Sequence, residues 1–169
     1  MSTAEHKSLA ESHRLVRCAV ITVSDTRTEA SDKSGSLIRT RLHEGGHEVV
    51  FYRIVPDEPA EIRALLSDLV GRVDAILLSG GTGISRRDNT YEAVTSLLEK
   101  TIPGFGELFR MLSYEEVGAA AMLSRATAGV YQDVVVFSTP GSVNAVRLAL
   151  TKLILPELKH LVWEIARMA

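Results

Sequence analysis

One cysteine, Cys18, in a chain of 169 residues excludes an internal disulfide, so stability has to come from a packed core. Cys18 sits in the apolar run Val16 to Val23 and reads as a buried strand residue, which suits a reducing cytoplasm. Neither sign of charge dominates. Nineteen Lys and Arg against twenty-one Asp and Glu give a net charge of −2, so no overall field draws the chain to nucleic acid or to an anionic membrane, and any polyanion must be met by a local site. Aromatic residues amount to 5%, and Trp163, among Leu161, Val162 and Ile165, reads as core or subunit interface rather than a stacking platform. No stretch reaches the roughly 18 apolar residues that span a bilayer. The opening segment MSTAEHKSLAESHR has no apolar segment of a secretory type, and residues 1–14 read as a polar tail ahead of one domain over 15–169. Repeats and low-complexity linkers are also missing.

What is present is an alternation of short β-rich runs and helical stripes, the pattern of a three-layer α/β/α domain. Val16 to Val23 is a continuous apolar run suited to a central strand, followed by the polar loop SDTRTEASD and a helix over Lys33 to Glu44 with Leu37, Ile38 and Leu42 inward. His47 to Val55 is a second strand. Asp57 to Val70 is a helix whose Ile62, Leu65, Leu66, Leu69 and Val70 follow one stripe, with Pro59 in its first turn. Val73 to Leu78 is a third strand, and a helix is expected over Asn89 to Glu99, with Asn89 and Glu92 spaced as a capping box. Pro103 to Met122 reads as short helices. Leu123 to Val130 and Val134 to Ser138 are close enough for an antiparallel hairpin, and the amphipathic close of the chain is divided or kinked at Pro156. The expected sheet is mostly parallel with one antiparallel strand.

In an open α/β sheet ligands gather outside the carboxyl ends of the strands. The loops there carry Ser24 and Asp25; Pro56 and Asp57; Ser79, Gly80, Gly81, Thr82 and Gly83 with Arg86, Arg87 and Asp88; and Pro140, Gly141 and Ser142. The SGGTG turn brings backbone amides close to an anion because glycine has no Cβ and accepts positive φ. It is no P-loop, since the Lys-Ser/Thr pair is missing, and the dinucleotide pattern fails at Arg86. A structural turn and an anion site both fit the letters. Asp57 and Asp88 can serve as helix N-terminal residues, or as carboxylates holding Mg²⁺ against bound phosphates. Asp25 also fits an Asx turn. His43, Glu44 and His47 match the letters HExxH, but Gly45 and Gly46 end the helix between the histidines and take away the shared face that zinc needs. His6, His13 and His160 are scattered.

VITVSDTRT, IVPDE, LLSGGTGISRRDNTYEAV, IPGFGELFRMLSYEEVGAAAMLSRATAGV and VVVFSTPGS, in this order from about Val16 to Leu158, resemble the MogA/MoaB family of molybdenum cofactor biosynthesis proteins, and FGELFRMLSYEE is closer to the MoaB branch. The resemblance implies the molybdopterin-binding fold and a molybdopterin adenylyltransferase. In that reaction the terminal phosphate of molybdopterin attacks the α-phosphorus of MgATP and pyrophosphate leaves. The product would pass to a molybdenum insertase. Carried over motif by motif, Asp57 and Asp88 are catalytic, with Asp57 holding Mg²⁺. Ser24, Asp25, Ser79, Gly80, Gly81, Thr82, Gly83, Arg87, Pro140, Gly141 and Ser142 would bind pterin and phosphates. The RRD region differs in some MoaB-branch members, whereas Asp88 here stands in the MogA-like setting. The resemblance further implies a homotrimer or hexamer, for which the apolar stretch Phe105 to Met122 is the candidate contact. A noncatalytic molybdopterin carrier would retain the glycine and PGS turns but tolerate loss of Asp57 or Asp88, and another nucleotide or sugar-phosphate enzyme on the same scaffold would be set apart by its lack of tight pterin binding.

Overall fold

The computed structural model describes residues 2–11 and 15–167. β1 (Arg17–Val23), β3 (Ala75–Ser79) and β6 (Val134–Thr139) are runs buried on both faces, as central strands must be. β2 (Glu48–Val55) is exposed at every second or third residue and lies at an edge. These four run parallel. Val23 lies beside Val55, Thr22 beside Ser79 and Ser79 beside Thr139, so their carboxyl ends finish level. β5 (Thr127–Tyr131) pairs antiparallel with β6 and with the short strand β4 (Lys100–Thr101), completing the order β2-β1-β3-β6-β5-β4. Gln132 and Asp133, with φ of 42° and 64°, make the tight left-handed turn that fits the twist of a hairpin. One reversed strand in a parallel sheet is the topology expected.

Alternation along the strands divides the core in two. Cys18, Val20, Leu77 and Phe137 face α2 (Lys33–Glu44), α5 (Pro103–Val117), α6 (Val143–Ala149) and α7 (Leu155–Ala166). Ala19, Ile21, Ile76, Leu78 and Val136 face α3 (Pro59–Leu69) and α4 (Thr90–Thr95). This is the three-layer α/β/α arrangement, and burial pushes the Cys18 thiol up to about 12, leaving it an inert core atom.

Several elements depart from the sequence expectation for identifiable reasons. The opening segment is not a loose polar tail: Thr3–Glu11 forms α1, which packs on α7 with Ala10 buried. Its apolar content is too small to show, because His6 supplies the contact, lying 5.2 Å from Trp163 and 2.8 Å from Glu164. Lys33–Glu44 is a helix as expected, with Ile38 and Leu42 buried and Leu37 partly so. α4 stops at Thr95, well short of Glu99. There the Thr95 and Ser96 hydroxyls donate to the carbonyls of Tyr91 and Ala93, a local competition that weakens helices, and the chain turns into β4. The Asn89 capping box does not form, since Asn89 Nδ2 donates to Arg86 O and Glu92 is drawn to Arg125. Pro103 to Met122 is not a set of short helices but one helix of 15 residues, ended by Gly118 at φ 66° and followed by a 3-10 turn over Gly118–Leu123. Pro156 does not divide the final helix. The missing N–H and the ring are absorbed by a π-helical turn over Leu150–Ile154, in which Leu155 N donates to Leu150 O.

The carboxylate of Asp32 fastens the loop after β1. It caps α2 by accepting from Gly35 N, and it also accepts from Thr22 Oγ1 at 2.6 Å, Tyr52 Oη at 2.6 Å and Ser34 Oγ at 3.2 Å. Burial opposes its ionisation, but the four donors outweigh it and hold the carboxyl below its ordinary value of 3.8. The stability it contributes is therefore present above that value and lost as pH falls through the lower folded one. Asp32→Ala should cost about 3 kcal/mol in urea unfolding and Tyr52→Phe about 1, because buried donors are left without an acceptor in the first case and one bond is lost in the second.

Candidate functional site

Because the four parallel strands end level, the loops that follow them share one rim. Asp25 Oδ1 accepts the Asp57 amide at 3.1 Å, tying the β1 loop to the β2 loop. Asp57 in turn is 5% exposed and accepts from Asn89 N with both oxygens at 3.2 Å, and from Thr90 Oγ1 at 3.4 Å, which ties the β2 loop to the start of α4. Gly81, at φ 67°, lies so close that a Cβ would collide with Thr90 Oγ1 and Asp57 Oδ2. Gly80, at φ 105°, presses on Val23 O, and Gly141 lies against Gly80, so the PGS turn meets the SGGTG turn. Asp88 closes its own turn by accepting from Ser85 N at 2.9 Å, and it flanks Gly83.

The polarity of the glycine turn is one-sided. The carbonyl of Gly81 accepts from Thr90 N, that of Thr82 from Arg125 N, and that of Gly83 from the Arg125 guanidinium at 2.7 and 3.0 Å. The amides of Gly81, Thr82 and Gly83 have no acceptor among the described residues. With its carbonyls tied back and its amides without an acceptor among the described residues, the turn has N–H donors of the kind an anion accepts. Ser79 Oγ is also buried without a hydrogen-bond partner at this end of β3.

Asp25 and Asp57 are shifted in opposite directions. Asp25 is held below the usual carboxylate range, first by hydrogen bonds from the Arg87 guanidinium and next by the Asp57 amide. Asp57 is pushed up, chiefly by burial and further by the charges of Asp88 and Asp25, against hydrogen bonds from Asn89 and Thr90 that work the other way. No side-chain cation is recorded on Asp57 among the described residues. Oxygen donors with uncompensated negative charge suit Mg²⁺. Yet the three aspartates do not bring their oxygens within reach of a single ion by themselves, so such an ion would rest on one or two of them and complete its shell with water and phosphate oxygens.

Most of the expected residues meet here, but some do other work. Arg87 is engaged with carboxylates: Nε and NH2 form a two-point bond to Asp25 and NH1 donates to Glu58 at 2.7 Å, which matches its charge. Ser24 Oγ accepts from Thr26 N and Arg27 N within its own loop, and Ser142 Oγ caps α6 by accepting from Ala145 N. His47 turns inward, its Nδ1 accepting from Val16 N, while His43 is exposed on α2. Sequence reasoning passed over two arginines. Arg125, besides holding Gly83 O, donates to Asp88 O and pairs with Glu92, so it joins the glycine turn to the Asp88 turn. Arg27 lies under the PGS turn, donating to Gly141 O at 3.0 Å and Ser34 Oγ at 2.6 Å.

A family model described as "Probable molybdopterin binding domain" matches residues 19–160, which includes every loop of this rim. The chain belongs to this family. Within the molybdopterin-binding family it is 56% identical over 170 residues to molybdenum cofactor biosynthesis protein B of Bacillus subtilis, covering 99% of each chain. It is 50% identical over 171 residues to the protein of the same name from Staphylococcus carnosus, covering 99% of this chain and 100% of that one. Among solved structures it matches a molybdenum cofactor biosynthesis protein B at 54% identity and TM-score 0.87, covering 91% and 98% of the two chains. It also matches the tungsten cofactor synthesizing protein MoaB from Pyrococcus furiosus at 44% identity and TM-score 0.80, covering 88% and 95%. These likenesses place the chain in the MoaB branch of the molybdopterin-binding family.

Because the folded state raises the Asp57 pKa, this residue's contribution is fully present below 3.8 and is lost as pH rises through the folded value. Asp57→Asn, which keeps an acceptor oxygen and removes the buried charge, should therefore melt at or above the wild-type temperature at neutral pH. Gly81→Ala should lose at least about 2 kcal/mol, through the collision and the positive φ together, as read by denaturant unfolding.

Proposed function

We propose that this protein binds the terminal phosphate of molybdopterin in the glycine turn and catalyses its adenylylation by ATP with Mg²⁺. The observation that carries the reading is the pairing of open amides at Gly81 to Gly83 with the uncompensated carboxylate of Asp57, on the rim that the family model spans. In the reaction a phosphate oxygen of the pterin forms a bond to the α-phosphorus of ATP, the bond from that phosphorus to the bridging oxygen breaks, and pyrophosphate leaves. Such transfer needs chiefly alignment and neutralisation of charge. The amides of Gly81, Thr82 and Gly83 hold the attacking phosphate, with Gly80 and Gly141 keeping the two turns in contact. Asp57, tied to Asn89 and Thr90, is the oxygen donor for Mg²⁺, and Asp88 orients the attacking group or a second ligand oxygen. When bound, the ion would supply positive charge that offsets the charge of the nucleotide phosphates. Arg87 acts through Asp25, keeping the loop that receives Asp57 in place.

The exposed Leu108, Met111, Tyr114, Val117, Met122 and Leu123, on α5 and the turn after it, support self-association as a homotrimer or hexamer. Phe105 and Phe109 are excluded from that face because they are buried against Phe137 and the sheet. The adenylylated product would be handed to a molybdenum insertase, and the same reading puts the protein in the cytoplasm. No helix among the described residues is long and apolar enough to cross a membrane.

An anaerobic assay with molybdopterin, ATP and Mg²⁺, following adenylylated pterin and pyrophosphate together, tests the reading. Wild type should form both in equal amounts, and Asp57→Asn and Asp88→Asn should each turn over at least about 100-fold more slowly, roughly 2.7 kcal/mol of barrier. Pterin binding without either product would make the protein a carrier, and turnover unchanged in the folded double variant would remove both aspartates from the mechanism. Sedimentation should show a trimer or hexamer that Met111→Glu weakens.

A further inference from the structure

The contact between α1 and α7 lies outside the rim and brings together residues that the sequence keeps far apart. His6 of α1 and His160 and Glu164 of α7 place ring nitrogens and a carboxylate oxygen within 4.8 Å of one another, and this is the cluster of metal-ligating type found among the described residues. His160 and Glu164 are one helical turn apart on the same face, with Nε2 of His160 3.6 Å from Glu164 Oε1. His6 Nδ1 reaches the same oxygen from the other helix at 2.8 Å.

The surroundings resemble the outer shell of a metal site. His160 Nδ1 is bonded to Glu157 Oε2 at 2.9 Å, which assigns that nitrogen the proton and turns the Nε2 lone pair inward; a carboxylate behind a ligating histidine is the usual means of fixing its tautomer. Glu164 is also divided. Its Oε2 is taken by Arg167 Nε at 2.7 Å, leaving Oε1 toward both imidazoles. Trp163 closes the side of His6, with ring centroids 5.2 Å apart. All three groups are partly buried, with side-chain exposures of 19%, 20% and 30%.

We propose that His6, His160 and Glu164 form a binding site for a divalent transition ion, zinc by donor chemistry, that fastens α1 to α7. Two imidazoles and a carboxylate with water in the fourth position are a well-suited set for tetrahedral Zn²⁺, whereas Mg²⁺ takes oxygen and would pass it by. At zinc bond lengths the ligand atoms of such a site lie about 3.3 Å apart, so the 2.8 Å contact must open and the 3.6 Å contact close by a fraction of an ångström each. His6 gives up its hydrogen bond to Glu164 and shifts its proton to Nε2 on binding. The ion replaces one hydrogen bond between the helices with bonds to both.

Trp163 is the sole tryptophan, so the metal can be followed from its fluorescence. Chelator-treated full-length protein titrated with Co²⁺ should lose Trp163 emission saturably at one ion per chain, with visible bands of a four-coordinate cobalt ion. Zn²⁺ should reverse the quenching and Mg²⁺ should not. His6→Gln and His160→Gln should each weaken Co²⁺ and Zn²⁺ binding at least tenfold while leaving the thermal melt of the metal-free protein cooperative. Zn²⁺ should also slow amide exchange within α1 in wild type alone. Quenching that is absent, that never saturates, or that is equal in wild type and both variants overturns the site. Since Asp57, Asp88 and the glycine turn are untouched, the outcome is independent of whether the rim adenylylates pterin.

Discussion

Asp57 has to be charged enough to matter and buried enough to be fixed, and the rim is arranged around that conflict. Its carboxylate holds the Asn89 amide and the Thr90 hydroxyl, its own amide is held by Asp25, and Asp25 is held by Arg87. Three loops from three strands are thereby joined by a chain of hydrogen bonds in which each group fixes the next. Gly81 is obliged to be glycine because the carboxylate fills the space where a side chain would go. The cost is a buried negative charge with no cation beside it among the described residues, and a site of this kind has stability to gain from binding one.

The two arginines that touch the glycine region show how charge is used without being offered to a ligand. Arg87 and Arg125 each satisfy carboxylates or carbonyls, so they set the shape of the rim while adding little free positive potential. On the proposed reading, anion binding is left to backbone dipoles, which are rigid, uncharged and need little reorganisation when a phosphate arrives. A phosphate bound there would have carboxylates beside it, and a divalent ion carried with it would offset their charge.

What could be read from the chain in advance was what lies close in sequence. The glycine turn, Asp57 and the PGS turn each sit directly after a strand, and Asp88 lies further along the loop after β3, so finding the strands placed them at one end of the sheet. The Asp32 carboxylate was legible as loop polarity but not as a knot, since Tyr52 lies 20 residues further on and carries no marker of its partner. Arg125 was hidden in the same way, meeting Asp88 from 37 residues away. The partners of Arg87 were not legible because a basic residue in a loop announces its charge and not which acid it meets. α1 escaped notice because a helix held by one histidine and a buried alanine leaves no hydrophobic stripe, and Pro156 because a widened turn can accommodate what usually breaks a helix.

The sheet ends on one side in β4, a strand of two exposed residues, one of them Lys100. At the opposite edge β2 carries Glu48 and Arg53 outward, with Arg53 and Arg72 lying over the ring of Phe51 and Arg39 over Tyr52. The β4 margin is too short to offer a ladder of free amides and carbonyls to another chain, and the longer β2 margin carries charged side chains along it. Growth by strand addition is thereby discouraged at the β4 margin, where two residues are too few to template another strand, and the charged side chains along β2 would have to be displaced before a strand could add at the other.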